Sequence, residues 1–420
     1  LAIPVLLLGL IICSIILGQL TPVLLGPSSL AHATGYLSGL IDRVFSHEIS
    51  HLQAAYGVVA ALMLLEGLAV LFVFLSLANG RGSSERWLHV AVYGTGFVCG
   101  LGILQRVSRF GLLEPWLSSE PGLTRINATL SDMNSLGSYL VLMLPVALAL
   151  ALCSESFRHR GIFWGVATAA CLCLIFTGSR AAWLAGGCSL LLMGGLAIPA
   201  RLYAYWGGPR VSRIAPAAYG WTVGFLIAAM LVGIALGTAM DVRLEDRTSQ
   251  VKNLLWTLNL KRSLDDVLKG RIIFYKVALD MIELQPLWGV GLGRYYALFP
   301  DYASLRTDQH MRAENAHNYF LQMTAEMGLP RALVLLSALC IACAVALRRS
   351  LREGRGRGDM RRATLLLGSG SGMFAFLMTN LTGHPLLLRE GQIAFWSIAA
   401  LSLLLGEITS NQGRVSANTT

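Results

Sequence analysis

The chain has 420 residues, of which 55% are hydrophobic and only 13% are charged. Charged residues make up about a quarter of an average soluble protein, so this composition excludes a soluble globular domain and predicts an all-α polytopic integral membrane protein. The formal net charge of +10 does not indicate nucleic-acid binding, because basic residues gather on the cytoplasmic side of membrane proteins.

Apolar runs of about 20 residues predict ten membrane-spanning helices. These runs cover roughly residues 1–25, 52–78, 87–107, 131–152, 161–178, 181–200, 217–239, 330–347, 363–382 and 391–407. Because the chain opens on Leu1 within an apolar run, we expect the natural N-terminus and further spans to precede it. The pattern divides the chain into three regions. Residues 1–240 form an N-terminal bundle of about seven spans, residues 241–316 form a polar segment that contains helices, and residues 317–420 contain the candidate catalytic helix and the C-terminal spans.

The arginines between the spans predict the orientation of the chain. With both termini in the cytoplasm, the arginine-rich loops fall inside and the long segment 241–316 falls outside. The richest of the inner loops, 348–362, holds seven arginines, which is typical of an anchor that binds the headgroups of membrane lipids.

The outer segment contains two patterns that point to a binding surface. Apolar residues recur at helical spacing over 251–285, and Pro286 ends the second of the two predicted helices. A glycine-rich turn with four aromatic residues follows: Trp288, Tyr295, Tyr296 and Phe299. These aromatic rings are interpreted either as an interfacial belt or as a floor on which sugars stack. On the second interpretation, Trp288, Tyr295 and the neighbouring Arg294 contact substrate.

The stretch 313–330 is the strongest candidate for a catalytic segment. Asn315 is a suitable N-cap and Gly328 with Pro330 a suitable stop, which places His317 in the first turn of a short helix. The positive end of a helix disfavours the imidazolium form and attracts anions, so we predict that His317 acts as a base and that Asn318 contacts substrate. A capping or packing role for this histidine is the alternative.

Two arginines complete a possible reaction centre. Arg180 follows Thr177-Gly178-Ser179 between two predicted spans on the outer side, where an arginine is costly unless it meets an anion; membrane anchoring is the alternative. Arg271 begins the second outer helix. Transfer of a glycan from a lipid diphosphate to a hydroxyl needs a base and cations for the departing diphosphate, and arginine binds phosphate well. In the last outer loop, His384 and Arg389 are further candidate substrate contacts.

Two other classes of protein compete with a transferase. His47-Glu48-Ile49-Ser50-His51 matches the zinc-binding pattern HExxH, but no convincing third ligand accompanies it. A lipid or glycan transporter is the second alternative. The outer segment has no clear Asp-x-Asp metal site, so we predict a metal-free reaction without a cofactor. Glu66, in the middle of a predicted span, is expected to bond a neighbouring helix.

Taken together, Thr177 to Arg180, Gly270 to Gly291 and His317 to Leu321 with Glu326 and Gly328 resemble the O-antigen ligase/polymerase superfamily. The resemblance covers the latter two thirds of the chain, although Arg331 stands where the family usually has glycine. It implies a GT-C-like glycosyltransferase of about 10–12 transmembrane helices with one large periplasmic helical loop, in the bacterial inner membrane.

The resemblance also implies a reaction and its partners. O-antigen ligase, the most similar member, transfers polysaccharide from undecaprenyl diphosphate to lipid A–core oligosaccharide in the periplasm, with inversion and without metal. Arg180 and Arg271 match the arginines that face the diphosphate, and His317 matches the essential histidine. The O-antigen polymerase and the protein O-oligosaccharyltransferase share these motifs and stay open as alternatives.

Overall fold

The structure is a computed structural model that describes residues 53–77, 83–108, 125–207, 271–307, 311–355 and 359–417. Within these ranges all regular secondary structure is helical. Several predicted features lie outside the described residues: the spans at 1–25 and 217–239, the first outer helix, and the motif from His47 to His51.

Eleven α-helices and one short 3-10 helix make up the described residues. The α-helices are α1 (Gln53–Leu77), α2 (Ser83–Ser108), α3 (Met133–Cys153), α4 (Phe157–Phe176), α5 (Arg180–Gly207), α6 (Ile272–Leu284), α7 (Arg294–Ser304), α8 (Tyr319–Met327), α9 (Leu329–Arg355), α10 (Met360–Thr379) and α11 (Arg389–Ala417). The 3-10 helix, Pro385–Leu387, precedes α11.

Each predicted span within the described residues corresponds to a helix. Five helical stretches are long and apolar enough to cross a membrane: Val59–Leu77, Ser83–Val107, Met133–Cys153, Phe157–Phe176 and Leu329–Gly354. The chain is therefore a polytopic membrane protein, as its composition predicts. The second outer helix also forms as expected: Arg271 is the N-cap of α6, and Pro286 follows its C-cap.

The described residues form two compact units, each assembled from separated parts of the chain. Unit 1 contains residues 53–69, 271–307, 311–340 and 380–392. Unit 2 contains residues 70–77, 83–108, 125–207, 341–355, 359–379 and 393–417. The units therefore alternate along the chain, whereas the three predicted regions are consecutive. Arg271, His317 and His384 belong to unit 1, and Arg180 belongs to unit 2.

The core of unit 2 depends on glycines that let α10 approach α3 closely. Most of α3 is buried. A methyl group at Gly368 would lie 2.5 Å from the Pro145 carbonyl oxygen, and one at Gly372 would lie 2.1 Å from the Leu142 carbonyl oxygen. Small residues that bring two backbones together are typical of helix packing in membranes, where burial of apolar surface gives little driving force.

We predict that Gly372→Ala strongly destabilises the protein, because the new methyl group would force α10 away from α3. Overpacking of this kind costs about 1–3 kcal/mol or more. Gly165→Ala in α4 is the matched control, since no atom lies within 4 Å of its added methyl group. The thermal midpoint in detergent should fall for Gly372→Ala and hold or rise for Gly165→Ala. Equal midpoints for the two variants would contradict the close α3–α10 packing.

Unit 1 is built where α6, α7 and α8 meet. Its core consists of apolar side chains that are fully or almost fully buried: Val277, Ala278, Met281, Val290, Tyr295, Phe299, Ala303, Ala316 and Ala325. The glycine-rich turn after α6 runs along the end of α8, where the Val290 N–H donates to the Ala325 carbonyl (2.9 Å) and the Gly291 N–H to the Glu326 carbonyl (3.0 Å).

Glycines make this backbone approach possible. Gly289 and Gly328 have φ angles of 70° and 77°, which favour glycine. A methyl group at Gly289 would lie 2.4 Å from the Glu326 carbonyl oxygen, and one at Gly328 would lie 2.4 Å from the Leu287 carbonyl oxygen. The turn thus serves close packing of two backbone segments within unit 1.

Candidate functional site

The helix that follows His317 starts later than the sequence predicts. Asn318, three residues after the predicted cap, is the N-cap of α8, and its side chain accepts a hydrogen bond from the Leu321 N–H (3.1 Å). The predicted cap, Asn315, was wrong: its side chain instead accepts from the Gln322 amide (3.2 Å). The predicted stop is confirmed, because Gly328 is the C-cap of α8.

His317 therefore lies one residue before the cap, outside the helix. Its φ angle is 48°, in the left-handed region where residues other than glycine are uncommon and histidine is one of the enriched types. Such a backbone conformation costs free energy and persists only where the surroundings enforce it. The contacts on both sides of His317 are therefore central to the site.

Segment 380–384 is the first of these surroundings. The Tyr319 N–H, at the start of α8, donates to the carbonyls of Asn380 (2.9 Å) and Gly383 (3.0 Å). The Arg271 guanidinium donates from Nη1 to the Thr382 carbonyl. Segment 380–384 thereby joins the beginnings of α6 and α8, although Arg271 and Tyr319 are 48 positions apart in the sequence. It brings Arg271 and His317 to one region of unit 1.

The imidazole of His317 is reachable and has aromatic neighbours on two sides. Its side chain is 27% exposed, and its ring centroid lies 5.0 Å from that of Phe274 and 5.4 Å from that of His384. The Nε2 atom lies 3.9 Å from the Glu314 carboxylate. A carboxylate at this distance stabilises positive charge on the ring, which a base acquires when it takes a proton.

The predicted aromatic residues divide into exposed and buried ones. Trp288 is 68% exposed, whereas Tyr295 and Phe299 are fully buried. The Tyr295 hydroxyl donates to the Phe274 carbonyl (2.8 Å), so Tyr295 has the surroundings of a packing residue. Arg331, where the resembled family usually has glycine, places its guanidinium 4.7 Å from the Trp288 ring centroid, an arrangement that cation–π attraction stabilises.

The polar candidates differ in their partners. Arg294 is the exposed first residue of α7. Arg389, the first residue of α11, donates from Nε to both carboxylate oxygens of Glu66 at 2.7 Å. The expectation that Glu66 bonds a neighbouring helix is therefore confirmed within unit 1. Asn318 uses its side-chain oxygen to cap α8.

Arg180 starts α5 at a tight turn in unit 2. The turn reverses the chain after α4, and Gly178 within it has a φ angle of 61°. Arg125 holds this turn, because its Nε donates to the Thr177 carbonyl (2.5 Å). The Trp183 indole donates to the Leu174 carbonyl (2.8 Å) from the other side. The sequence gives no motif around Arg125 that would have revealed this role.

Glu326 is a second residue whose role sequence reasoning missed. It is fully buried, and its carboxylate accepts from the N–H groups of Gly293 (2.7 Å) and Tyr295 (3.3 Å) and from the Gln322 amide (3.1 Å). Gly293 is the N-cap of α7 and has no side chain of its own, so a carboxylate from α8 stabilises that helix start. Burial raises the pKa of Glu326 to about 7, although the hydrogen bonds it accepts oppose the shift.

The region that contains these residues matches a known family. Residues 164–337 match the family model described as O-Antigen ligase. This part of the chain belongs to the O-antigen ligase/polymerase superfamily. No curated protein matches the chain. The matched range contains Arg180, Arg271, His317 and Glu326, whereas segment 380–384 lies beyond it.

The metal-free reaction predicted from the sequence stays a prediction. Among the residues that the structure describes, no three His, Cys, Asp or Glu side chains cluster as a metal site requires. The HExxH motif lies outside those residues. A chelator experiment is therefore the direct test of whether the reaction uses a metal.

Proposed function

We propose that the chain transfers O-antigen polysaccharide from undecaprenyl diphosphate to lipid A–core oligosaccharide, with inversion and without a metal or cofactor. One observation supports this most: Arg271 and His317 both contact segment 380–384, in a superfamily member whose residues 164–337 match O-Antigen ligase. A base for the acceptor hydroxyl and a cation for the departing diphosphate are what this reaction needs.

In the proposed reaction His317 takes the proton of the acceptor hydroxyl as the sugar's anomeric carbon is attacked. The bond between that carbon and the diphosphate oxygen breaks, and the leaving group departs as undecaprenyl diphosphate. The Glu314 carboxylate, 3.9 Å from Nε2, stabilises the imidazolium that forms. His384 is proposed to contact substrate next to this ring.

Arg271 is proposed to bind the diphosphate as it departs. Its guanidinium has five N–H donors in a rigid fork, and the bond from Nη1 to the Thr382 carbonyl orients that fork. Arg180 is proposed to bind phosphate of the lipid-linked donor, on the strength of the family match that includes it. Trp288 and Arg294 are exposed and are proposed as further substrate contacts.

The proposed location is the bacterial inner membrane, with the site facing the periplasm and both termini in the cytoplasm. The membrane-spanning helices and the family match support a multi-pass inner-membrane protein. The arginine distribution supports the orientation. A lipid-linked donor suits a compartment without nucleotides, because the donor carries its own leaving group.

We expect purified protein in proteoliposomes to join polysaccharide from undecaprenyl diphosphate to lipid A–core, and EDTA to leave the rate unchanged. The measurement compares three acceptors in parallel: lipid A–core, a second lipid-linked repeat unit, and an unfolded serine-rich protein. Transfer only to the lipid-linked unit would identify a polymerase, and transfer only to the protein a protein O-oligosaccharyltransferase. Loss of transfer with EDTA would contradict the metal-free mechanism.

A further inference from the structure

The backbone directly before His317 is hydrogen-bonded to a buried side chain of α8, Gln322. Gln322 is 3% exposed, and both ends of its amide are used. Its oxygen accepts from the Ala316 N–H (3.0 Å), and its nitrogen donates to the Asn315 side-chain oxygen (3.2 Å) and to the Glu326 carboxylate (3.1 Å). Since Ala316 precedes His317, the orientation of this amide controls the chain at the point where it enters the left-handed conformation.

Glu326 determines which way the Gln322 amide faces. In the ionised form the Glu326 carboxylate only accepts hydrogen bonds, as it does from the Gly293 and Tyr295 N–H groups, so in that form Gln322 must turn its nitrogen toward Glu326. Its oxygen then faces the Ala316 N–H. If the amide were reversed, its oxygen would face the Glu326 carboxylate and its NH₂ group would face the Ala316 N–H, so neither pair could form a hydrogen bond. Each buried polar group left without a partner costs about 1–3 kcal/mol.

A second route connects Glu326 to the ring of His317. The carboxylate accepts from the Tyr295 N–H (3.3 Å), the Tyr295 hydroxyl donates to the Phe274 carbonyl (2.8 Å), and the Phe274 ring centroid lies 5.0 Å from that of His317. Glu326 is thus connected to the backbone before His317 through Gln322, and to the imidazole through Tyr295 and Phe274.

We infer that Glu326 is a positioning residue for His317. The Glu326 carboxylate fixes the orientation of the Gln322 amide, and this amide fixes the backbone conformation that directs the imidazole toward the acceptor hydroxyl. Glu326 is buried away from the substrate and takes no part in the chemistry itself. The inference rests on the proposed function, because it assigns to Glu326 the alignment of the base in glycan transfer.

The test is a double-mutant cycle measured by transfer to lipid A–core in proteoliposomes. Glu326→Gln keeps the shape of the side chain and removes the acceptor-only group, and Gln322→Ala removes the amide. A base misplaced by about 1 Å can cost about a hundredfold in rate, so we expect kcat to fall about tenfold to a hundredfold in each variant. The KM for the donor should stay unchanged, because the arginines are untouched. Glu283→Gln, an exposed change in α6, is the control and should keep wild-type kcat.

Because the two residues act in series, we expect the double variant to be no slower than the slower single variant. A double variant whose loss is the product of the two single losses would overturn the inference, as would a rise in KM with kcat unchanged. If Glu326→Gln fails to fold, as judged by its elution and thermal midpoint in detergent, Gln322→Ala decides alone, and a wild-type kcat overturns the inference.

The same assay separates this inference from the proposed function. An inactive His317→Ala beside fully active Glu326→Gln and Gln322→Ala would refute only the positioning role. A fully active His317→Ala would remove the catalytic assignment on which the positioning role depends.

Discussion

His317→Ala should abolish glycan transfer while the protein still folds and inserts into the membrane. Loss of a general base typically costs about 10²–10⁴ in rate. The imidazole is partly exposed, and its ring centroid lies 5.0 Å from that of Phe274 and 5.4 Å from that of His384. Its removal should therefore leave only a small cavity. The rate of transfer to lipid A–core at saturating donor, in proteoliposomes of equal protein content, is the measurement.

Backbone strain at residue 317 calls for a second variant and a control. Alanine tolerates a positive φ poorly, whereas asparagine adopts it readily, so His317→Asn removes the base with less strain. We expect both variants to be inactive with thermal midpoints near that of the wild type. His159→Ala, an exposed change in α4, should keep full activity. Transfer at the wild-type rate by either residue-317 variant would disprove the assignment of the base.

Arg271→Lys should lower the rate of transfer severely even though it preserves the charge. Lysine lacks the planar fork that binds phosphate in a bidentate manner, and it cannot reproduce the oriented bond to the Thr382 carbonyl. Removing one donor that stabilises transition-state charge costs about 10²–10³ in kcat. We expect Arg271→Ala to show a loss of that order and Arg271→Lys to fall between it and the wild type.

The readout for Arg271 separates binding from catalysis. Negative charge grows on the diphosphate as the glycosidic bond breaks, so kcat should fall by a larger factor than the apparent affinity for the donor. Arg306→Lys is the matched control, since Arg306 forms an exposed ion pair with Asp280 in the same unit. An Arg271→Lys enzyme with wild-type kcat would show that Arg271 does not bind the leaving group.

The membrane helices could be predicted from the sequence because their signal is local. A run of about 20 apolar residues must form its own backbone hydrogen bonds in a bilayer, and so it must be helical. The end of α8 was also predictable, since Gly328 adopts a conformation that other residues avoid. The start of α8 was not, because Asn315 and Asn318 are equally good N-caps by residue type, and the choice depends on Gln322.

The candidate site was predictable only in part, because its residues are brought together by contacts between distant parts of the sequence. Residue type suggested Arg271 and His317, whereas their shared attachment to segment 380–384 depends on backbone carbonyls more than 60 residues beyond His317. Trp288 and Tyr295 look alike in sequence, yet one is exposed and the other is in the core of unit 1. For Glu326, an acidic residue on the buried face of a short helix before a membrane span was the available signal.

The capping of α7 by Glu326 has a consequence for how the protein is made. The start of α7 leaves the ribosome 33 residues before the glutamate that completes it, and Gly293 provides no side chain of its own. Until Glu326 has been added to the chain, the Gly293 and Tyr295 N–H groups therefore lack this carboxylate as an acceptor. Because one carboxylate bonds to the start of α7 and to Gln322, the completion of α7 and the proposed alignment of His317 depend on the same residue.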